Sequence, residues 1–175
     1  MAHEQLNIRT ADGDCPVQIV TPNGDGPWPA VIVFMDALGM RSAVINVASR
    51  LAGNGYLAAL PDLFYRSGDY QIPTPSEAFA SGDLMKIIGP FMAATGPDKA
   101  AQDTGYILDY LDTRGDVSGR KVGTVGFCMG GGMAPAAAGT WPDRVAAAAS
   151  FHGGGIASDA PNSPHLLAPK MKAEV

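Results

Sequence analysis

The chain has 175 residues, with 12 Lys and Arg against 17 Asp and Glu and a net charge of -5, a pI of about 5.0 and a mean hydropathy of +0.06. That length suggests one domain, and 46% hydrophobic residues are enough for a sizeable core. The acidic balance predicts no nucleic-acid or anionic-membrane partner, no apolar run is long enough for a bilayer, and Met1–Gln5 lacks the basic start and apolar stretch of a signal peptide, so a cytoplasmic protein is expected.

Leu6, Ile8 and Thr10 alternate with polar residues, Ala11–Asp14 turns the chain, and Cys15, Val17 and Ile19 alternate again. This predicts an N-terminal hairpin. After a Pro/Gly loop over 21–29, Ala30–Met35 is a continuous apolar run, as in a strand covered on both faces. The Asp36–Met40 loop follows. Val44, Val47, Ala48 and Leu51 then recur at helical spacing over 41–52, and Gly53-Asn54-Gly55 ends that helix. Tyr56–Leu60 reads as the next strand, and 61–75 as a long loop rich in Pro, Tyr and Asp. Residues 76–88 predict a helix closed by Gly89-Pro90. Another helix starts at Gly96-Pro97-Asp98, with Ala101, Thr104, Ile107, Leu108 and Leu111 as its apolar face. Its Asp109 and Asp112 read as a solvated face.

Lys121–Gly132, K-V-G-T-V-G-F-C-M-G-G-G, is the stretch that carries chemistry. Val122, Thr124 and Val125 predict a buried strand. Gly126-Phe127-Cys128-Met129-Gly130 is a G-x-C-x-G, the nucleophile-elbow pattern with cysteine in the serine slot. A sharp strand-to-helix turn lifts one side chain into a cleft, and its glycines let strand and helix pass closely. The positive end of the following helix favours the thiolate, the nucleophilic form. Pro135 falls inside the following segment, where it costs about 3 kcal/mol in a helix interior, so a late start or a kink is expected. Residues 144–151 predict a further strand ending at His152-Gly153-Gly154-Gly155. Residues 158–169 read as a loop, and Met171–Val175 as the beginning of a strand.

Strands alternating with helices argue for an α/β fold with a mostly parallel sheet. Its ligands should bind at the carboxyl ends of the strands, which places Asp36, the 61–75 loop, Cys128 and His152 on one edge. Cys15 and Cys128 are expected as two free thiols. His3, His152 and His165 neither cluster nor pair with the cysteines, so no metal site and no cofactor are expected. A nucleotide-binding turn is disfavoured, because Cys128 takes the place of the second glycine of G-x-G-x-x-G and no Walker lysine follows.

Four stretches together resemble the dienelactone hydrolase family of α/β-hydrolases: P-A-V-I-V-F-M-D-A-L-G at 29–39, N-G-Y-L-A-A-L-P-D-L-F at 54–64, G-R-K-V-G-T-V-G-F-C-M-G-G at 119–131 and S-F-H-G-G at 150–154. The resemblance implies a three-layer α/β-hydrolase sandwich and a hydrolase that cleaves lactones or esters through a cysteine. Cys128 matches the nucleophile. Asp36 matches a position where the family commonly keeps a glutamate near the resting thiol. Ala37 and Met129 match the positions whose backbone N–H groups form the oxyanion hole. The family's catalytic aspartate and histidine have no counterparts within 1–175. On that ground 1–175 is expected to be a single but incomplete domain, truncated in its C-terminal part, with an apolar sheet edge left uncovered. The alternative is a catalytically inactive remnant that needs a partner chain to complete its sheet.

Among other residues, His152 is a pocket candidate, as a wall residue or a loop hydrogen-bonder rather than a base. Tyr65, Arg66 and Tyr70 are candidates for the substrate mouth, Arg66 for a substrate carboxylate, or else solvated loop residues. Asp62 is expected to fix its loop. His165 is expected at the surface and His3 in a frayed terminus.

Overall fold

The computed structural model describes residues 1–175. Six strands form one sheet in the order β1-β2-β4-β3-β5-β6: β1 (Ala2–Thr10), β2 (Gly13–Thr21), β3 (Trp28–Phe34), β4 (Leu57–Pro61), β5 (Val117–Phe127) and β6 (Val145–Phe151). The hairpin β1–β2 and the pair β2–β4 are antiparallel. β4, β3, β5 and β6 run parallel. β4 is buried at every residue, as expected of a strand covered on both faces.

The helices are α1 (Ser42–Gly53), α2 (Pro75–Ala80), α3 (Leu84–Ala94), α4 (Pro97–Asp112) and α5 (Met129–Thr140), with short 3₁₀ turns at Tyr65–Ser67 and Pro164–Lys170. From β3 the chain crosses through α1 to β4 on one side. From β4 it crosses back through α4 to β5, and through α5 to β6 beyond. With right-handed crossovers this puts α1 on one face and α4 and α5 on the other. Trp141 Nε1 accordingly donates to Ala101 O of α4 at 2.7 Å. β3 and β5 are neighbours whose following helices leave to opposite faces. Their carboxyl ends therefore frame the crevice where open α/β sheets bind ligands.

Three helical expectations need correction. The predicted 76–88 helix is two helices. A capping box at Thr74 and Glu77 starts α2, Gly82 at φ 72° ends it, and Asp83 caps α3 by accepting from Lys86 N at 3.2 Å. Gly89-Pro90 does not close α3, which runs through Pro90 to Ala94. Packing overrides the proline cost, because the Phe91 ring lies 5.3 Å from that of Phe64 and 5.4 Å from that of Tyr70. α5 likewise begins at Met129 without delay and continues through Pro135. It is buried from Met129 to Gly139, so tertiary contact rather than propensity holds it. Part of the 158–169 loop forms the second 3₁₀ turn. The strand expected at 171–175 is a single parallel bridge, Ala147 to Glu174. His3 lies in β1, not in a frayed end, and its Nε2 hydrogen-bonds Gln18 Oε1 at 2.7 Å.

Arg114 pins the base of the sheet. It donates to both carboxylate oxygens of Asp116 at 2.8 Å and to the Tyr110 hydroxyl at 2.8 Å, and it pairs with Glu4. The hydrogen bonds from Arg114 hold the Asp116 carboxyl below the usual carboxylate range. A carboxyl depressed by folding adds stability above its unfolded value and loses it as pH falls through the folded one. Urea midpoints should therefore fall with pH below about 4, and Asp116→Asn should flatten that acid limb. An unchanged limb in Asp116→Asn would remove Asp116 as its source.

Candidate active site

β5 delivers Cys128 to the crevice in a backbone conformation that side chains rarely adopt, φ 54° and ψ -114°. Such strain costs about 1–3 kcal/mol and persists only where the surroundings impose it. Here they do. Cys128 N–H donates to Phe151 O of β6 at 3.0 Å, and Cys128 O accepts from Gly131 N at 3.0 Å and Gly154 N at 3.2 Å. The two glycines of the pattern are spatial requirements. A Cβ on Gly126 would lie 1.9 Å from Gly130 O, and one on Gly130 would lie 2.4 Å from Phe34 O and 2.6 Å from Met35 O. The elbow is thereby pressed onto the carboxyl end of β3, beside Asp36 and Ala37. Cys128 is the N-cap of α5 and its thiol is free and partly exposed.

In the β3–α1 loop the Asp36 carboxylate is bonded within its own loop. Its Oδ1 accepts from Leu38 N at 2.9 Å and from Arg41 Nη1 at 2.6 Å, and its Oδ2 from Arg41 Nη2 at 2.6 Å. Arg41 Nη1 also reaches Gly39 O at 3.2 Å. A bidentate guanidinium takes up this short carboxylate. This clamp shapes the loop that carries Ala37. Neither Ala37 N–H nor Met129 N–H donates to a protein acceptor. For Met129 this is the ordinary condition of a first helical turn.

Cys128 borders a cavity of about 380 Å³. Met92, Thr95 and Pro97 from the α3–α4 junction, Met129 and Met133 of α5, and the loop around Ser163 wall it. None of these walls except Met129 carried a signal in the sequence, because α3 was expected to end before Met92 and 158–169 to be plain loop. A larger groove of about 1180 Å³ lies over the 61–75 loop, lined by Arg41, Asp62, Tyr65 and Tyr70 among others, and does not include Cys128. No group of three or more His, Cys, Asp or Glu is arranged to hold a metal ion.

The remaining candidates divide. Arg66 is neither solvated nor available to a substrate carboxylate: it donates to Asp103 Oδ2 and Oδ1 at 2.8 Å each and to Asp12 Oδ2 at 2.7 Å. Tyr65 borders the larger groove, but its hydroxyl is engaged by Thr10 at 2.8 Å and Asp103 at 3.0 Å, and burial pushes it up from its ordinary value. Asp62 fixes its loop as expected, accepting from Phe64 N at 3.1 Å and Tyr70 Oη at 2.7 Å, and burial raises its carboxyl. His152 follows β6 at φ 42°, exposed, and does not line the cavity beside Cys128. His165 is also exposed, its Nδ1 2.7 Å from Ser163 Oγ. Cys15 is the opposite of Cys128: it is buried, and burial, then the charges of Asp103 and Asp62, push its thiol far up.

Set beside known proteins, residues 16–175 match the sequence model of the dienelactone hydrolase family. A Synechocystis sp. protein that carries the name carboxymethylenebutenolidase is 31% identical over 147 residues, 83% of this chain and 56% of that protein. One of the same name from Salmonella typhi is 28% identical over 159 residues, 90% of this chain and 55% of its own. The chain thus spans about half the length of these curated relatives. A crystal structure from Klebsiella pneumoniae subsp. pneumoniae, named as a dienelactone hydrolase, superposes with a TM-score of 0.78 at 24% identity over 98% of this chain and 69% of that one. That likeness shows the α/β-hydrolase fold.

Proposed function

We propose, from the premise that this chain belongs to the dienelactone hydrolase family, that it hydrolyses a lactone or carboxylic ester and that Cys128 is the nucleophile. One observation carries it: a partly exposed thiol held in strained backbone at a helix N-terminus, beside a cavity. The thiolate adds to the substrate carbonyl, and the oxyanion that forms takes the free N–H groups of Ala37 and Met129. Such donors meet charge that exists only in the transition state and are worth about 3 kcal/mol each. Collapse breaks the C–O bond and expels the alkoxide, leaving a thioester on Cys128. Water then cleaves the thioester and restores the thiol. Protonation of the alkoxide and activation of water need a general acid–base, which no residue lining the cavity supplies.

Asp36 has a positioning part in this proposal. Clamped by Arg41, it sets the loop so that Ala37 N–H stays free. An enzyme is preferred over an inert remnant because the family and the curated relatives are hydrolases by name.

The direct test is to quench the complete protein during turnover of an activated ester and map the adduct by mass spectrometry. An acyl group on the Cys128 peptide is expected. An acyl group on another residue, or turnover with none, would contradict the assignment.

A further inference from the structure

With Cys128 as the nucleophile of the proposed hydrolase, the wall of its cavity decides what length of acyl group fits beside the sulfur. One side of that wall is α3 and its junction with α4, through Met92, Thr95 and Pro97. α3 is lightly anchored for a helix of 11 residues. Ile88 is its one buried residue, Met85 is 60% exposed, and Pro90 supplies no N–H to its hydrogen-bond ladder. Such a helix keeps its place by tertiary contact rather than by propensity.

Two contacts from the 61–75 loop fasten the stretch that reaches the cavity. Thr95 Oγ1, just past the end of α3, donates to Leu63 O at 2.6 Å. Phe91, the residue before Met92, completes a triangle of rings. Its centre lies 5.3 Å from that of Phe64 and 5.4 Å from that of Tyr70, and Phe64 and Tyr70 stand edge to face at 5.5 Å, within the range that aromatic pairs favour. Phe64 is fully buried, whereas Tyr70 is the half-buried corner on the loop. The Tyr70 hydroxyl seats that ring, 2.7 and 2.8 Å from the two Asp62 carboxylate oxygens. Asp62 is in turn fixed at the end of β4, its N–H donating to Pro16 O of β2 at 2.8 Å. Tyr70 thus braces α3 against the end of the sheet, although its own side chain lines the larger groove and not the cavity beside Cys128.

We propose that Tyr70 is a positioning residue: through Phe91 it holds Met92 and the α3–α4 junction in place, and so sets the length of acyl group that the cavity accepts beside Cys128. A wall held firm buries the methylenes of an acyl chain, and a wall that yields leaves them in water. Each methylene buried is worth about fourfold in affinity.

Alkylation of Cys128 in the complete protein tests this without requiring turnover. Iodoacetamide and its N-butyl derivative share the reacting carbon and the carbonyl. Their rate ratio at Cys128, read by peptide mapping and divided by the ratio for N-acetylcysteine, therefore reports the fit of the chain alone. A loss of folded protein or a change in thiol reactivity moves both rates and cancels, and whatever else lines the cavity is common to parent and variants. Buried Cys15 serves as the internal control. Tyr70→Ala should lower the preference for the butyl reagent roughly tenfold, and Tyr70→Phe, which keeps the ring, should stay within about threefold of the parent. Phe91→Leu acts from the other side of the same contact and should lower the preference too; it decides the matter if Tyr70→Ala does not fold. A ratio unchanged or raised in either Tyr70→Ala or Phe91→Leu overturns the proposal. p-Nitrophenyl acetate and hexanoate carry the same comparison into hydrolysis, where Tyr70→Ala should lower kcat/KM for the hexanoate relative to the acetate. No turnover of either ester by the parent overturns the hydrolase proposal, and the alkylation ratio still decides the part played by Tyr70.

Discussion

Cys128→Ala is expected to lower kcat/KM for the proposed lactone or ester hydrolysis by the complete protein by about 10⁴-fold or more. Every bond-making step of the proposed mechanism passes through the sulfur. An alanine there leaves the two free N–H groups and the cavity, which bind and polarise a carbonyl but attack nothing. A residual rate above that of water is therefore expected, from the oxyanion donors alone. Folding is not the confounder. The side chain is small and partly exposed, and the φ of 54° is imposed by Phe151, Gly131 and Gly154 through backbone hydrogen bonds that alanine keeps. Thermal stability should shift by no more than about 1 kcal/mol. Retention of more than about a tenth of the activity in a protein with an unchanged melt would remove Cys128 from the chemistry.

Asp103→Ala should be the most destabilising single change outside the elbow, by about 3–5 kcal/mol. That is a large part of the 5–15 kcal/mol typical of a folded domain. Asp103 is 1% exposed, and Arg66, its bidentate partner, 8% exposed in its side chain. The Arg66 guanidinium lies 4.5 Å from the Tyr65 ring centre and reaches Asp12 in the β1–β2 turn. The cluster therefore ties the hairpin, the 61–75 loop and α4 together. Removing the carboxylate leaves a buried guanidinium with only the more exposed Asp12. The paired change Arg66→Met with Asp103→Leu removes both charges, and its loss should stay within about 2 kcal/mol of the parent, since a buried pair is often replaceable by apolar volume. Urea unfolding with an unchanged slope reads both. A loss under about 1 kcal/mol in Asp103→Ala would mean that solvent already screens the cluster.

How much of the molecule is legible along the chain depends on how local each cause is. The elbow was legible because its cause lies within five residues, Gly126 to Gly130. Small residues are needed wherever strand and helix backbones pass within contact, and Gly130 in fact rests on Phe34 and Met35 carbonyls. The alternation of strands and helices was legible because burial follows the period of each element, as Ala101, Thr104, Ile107, Leu108 and Leu111 show in α4. The misread stretches are those where tertiary packing outweighs a local breaker. Pro90 should have ended α3, but the aromatic contacts of Phe91 carry it on to Ala94 and so bring Met92 to the cavity. Asp36 was expected near the thiol by resemblance alone, and Arg66 either at the substrate mouth or as a solvated loop residue; residue order showed neither one's ion-pair partner. A charged side chain pairs with whichever opposite charge the fold presents first. Arg41 stands one loop away from Asp36, and Asp103, 37 residues from Arg66, arrives on the facing side of α4. Local sterics and periodicity dictate the family's motifs, the strand that leads into the elbow and the thiol at its turn, so these could be read from residue order alone. Which charges are already neutralised and which side chains wall the cavity could not, because both depend on distances between segments remote along the chain, and those distances exist only once the sheet and helices have packed.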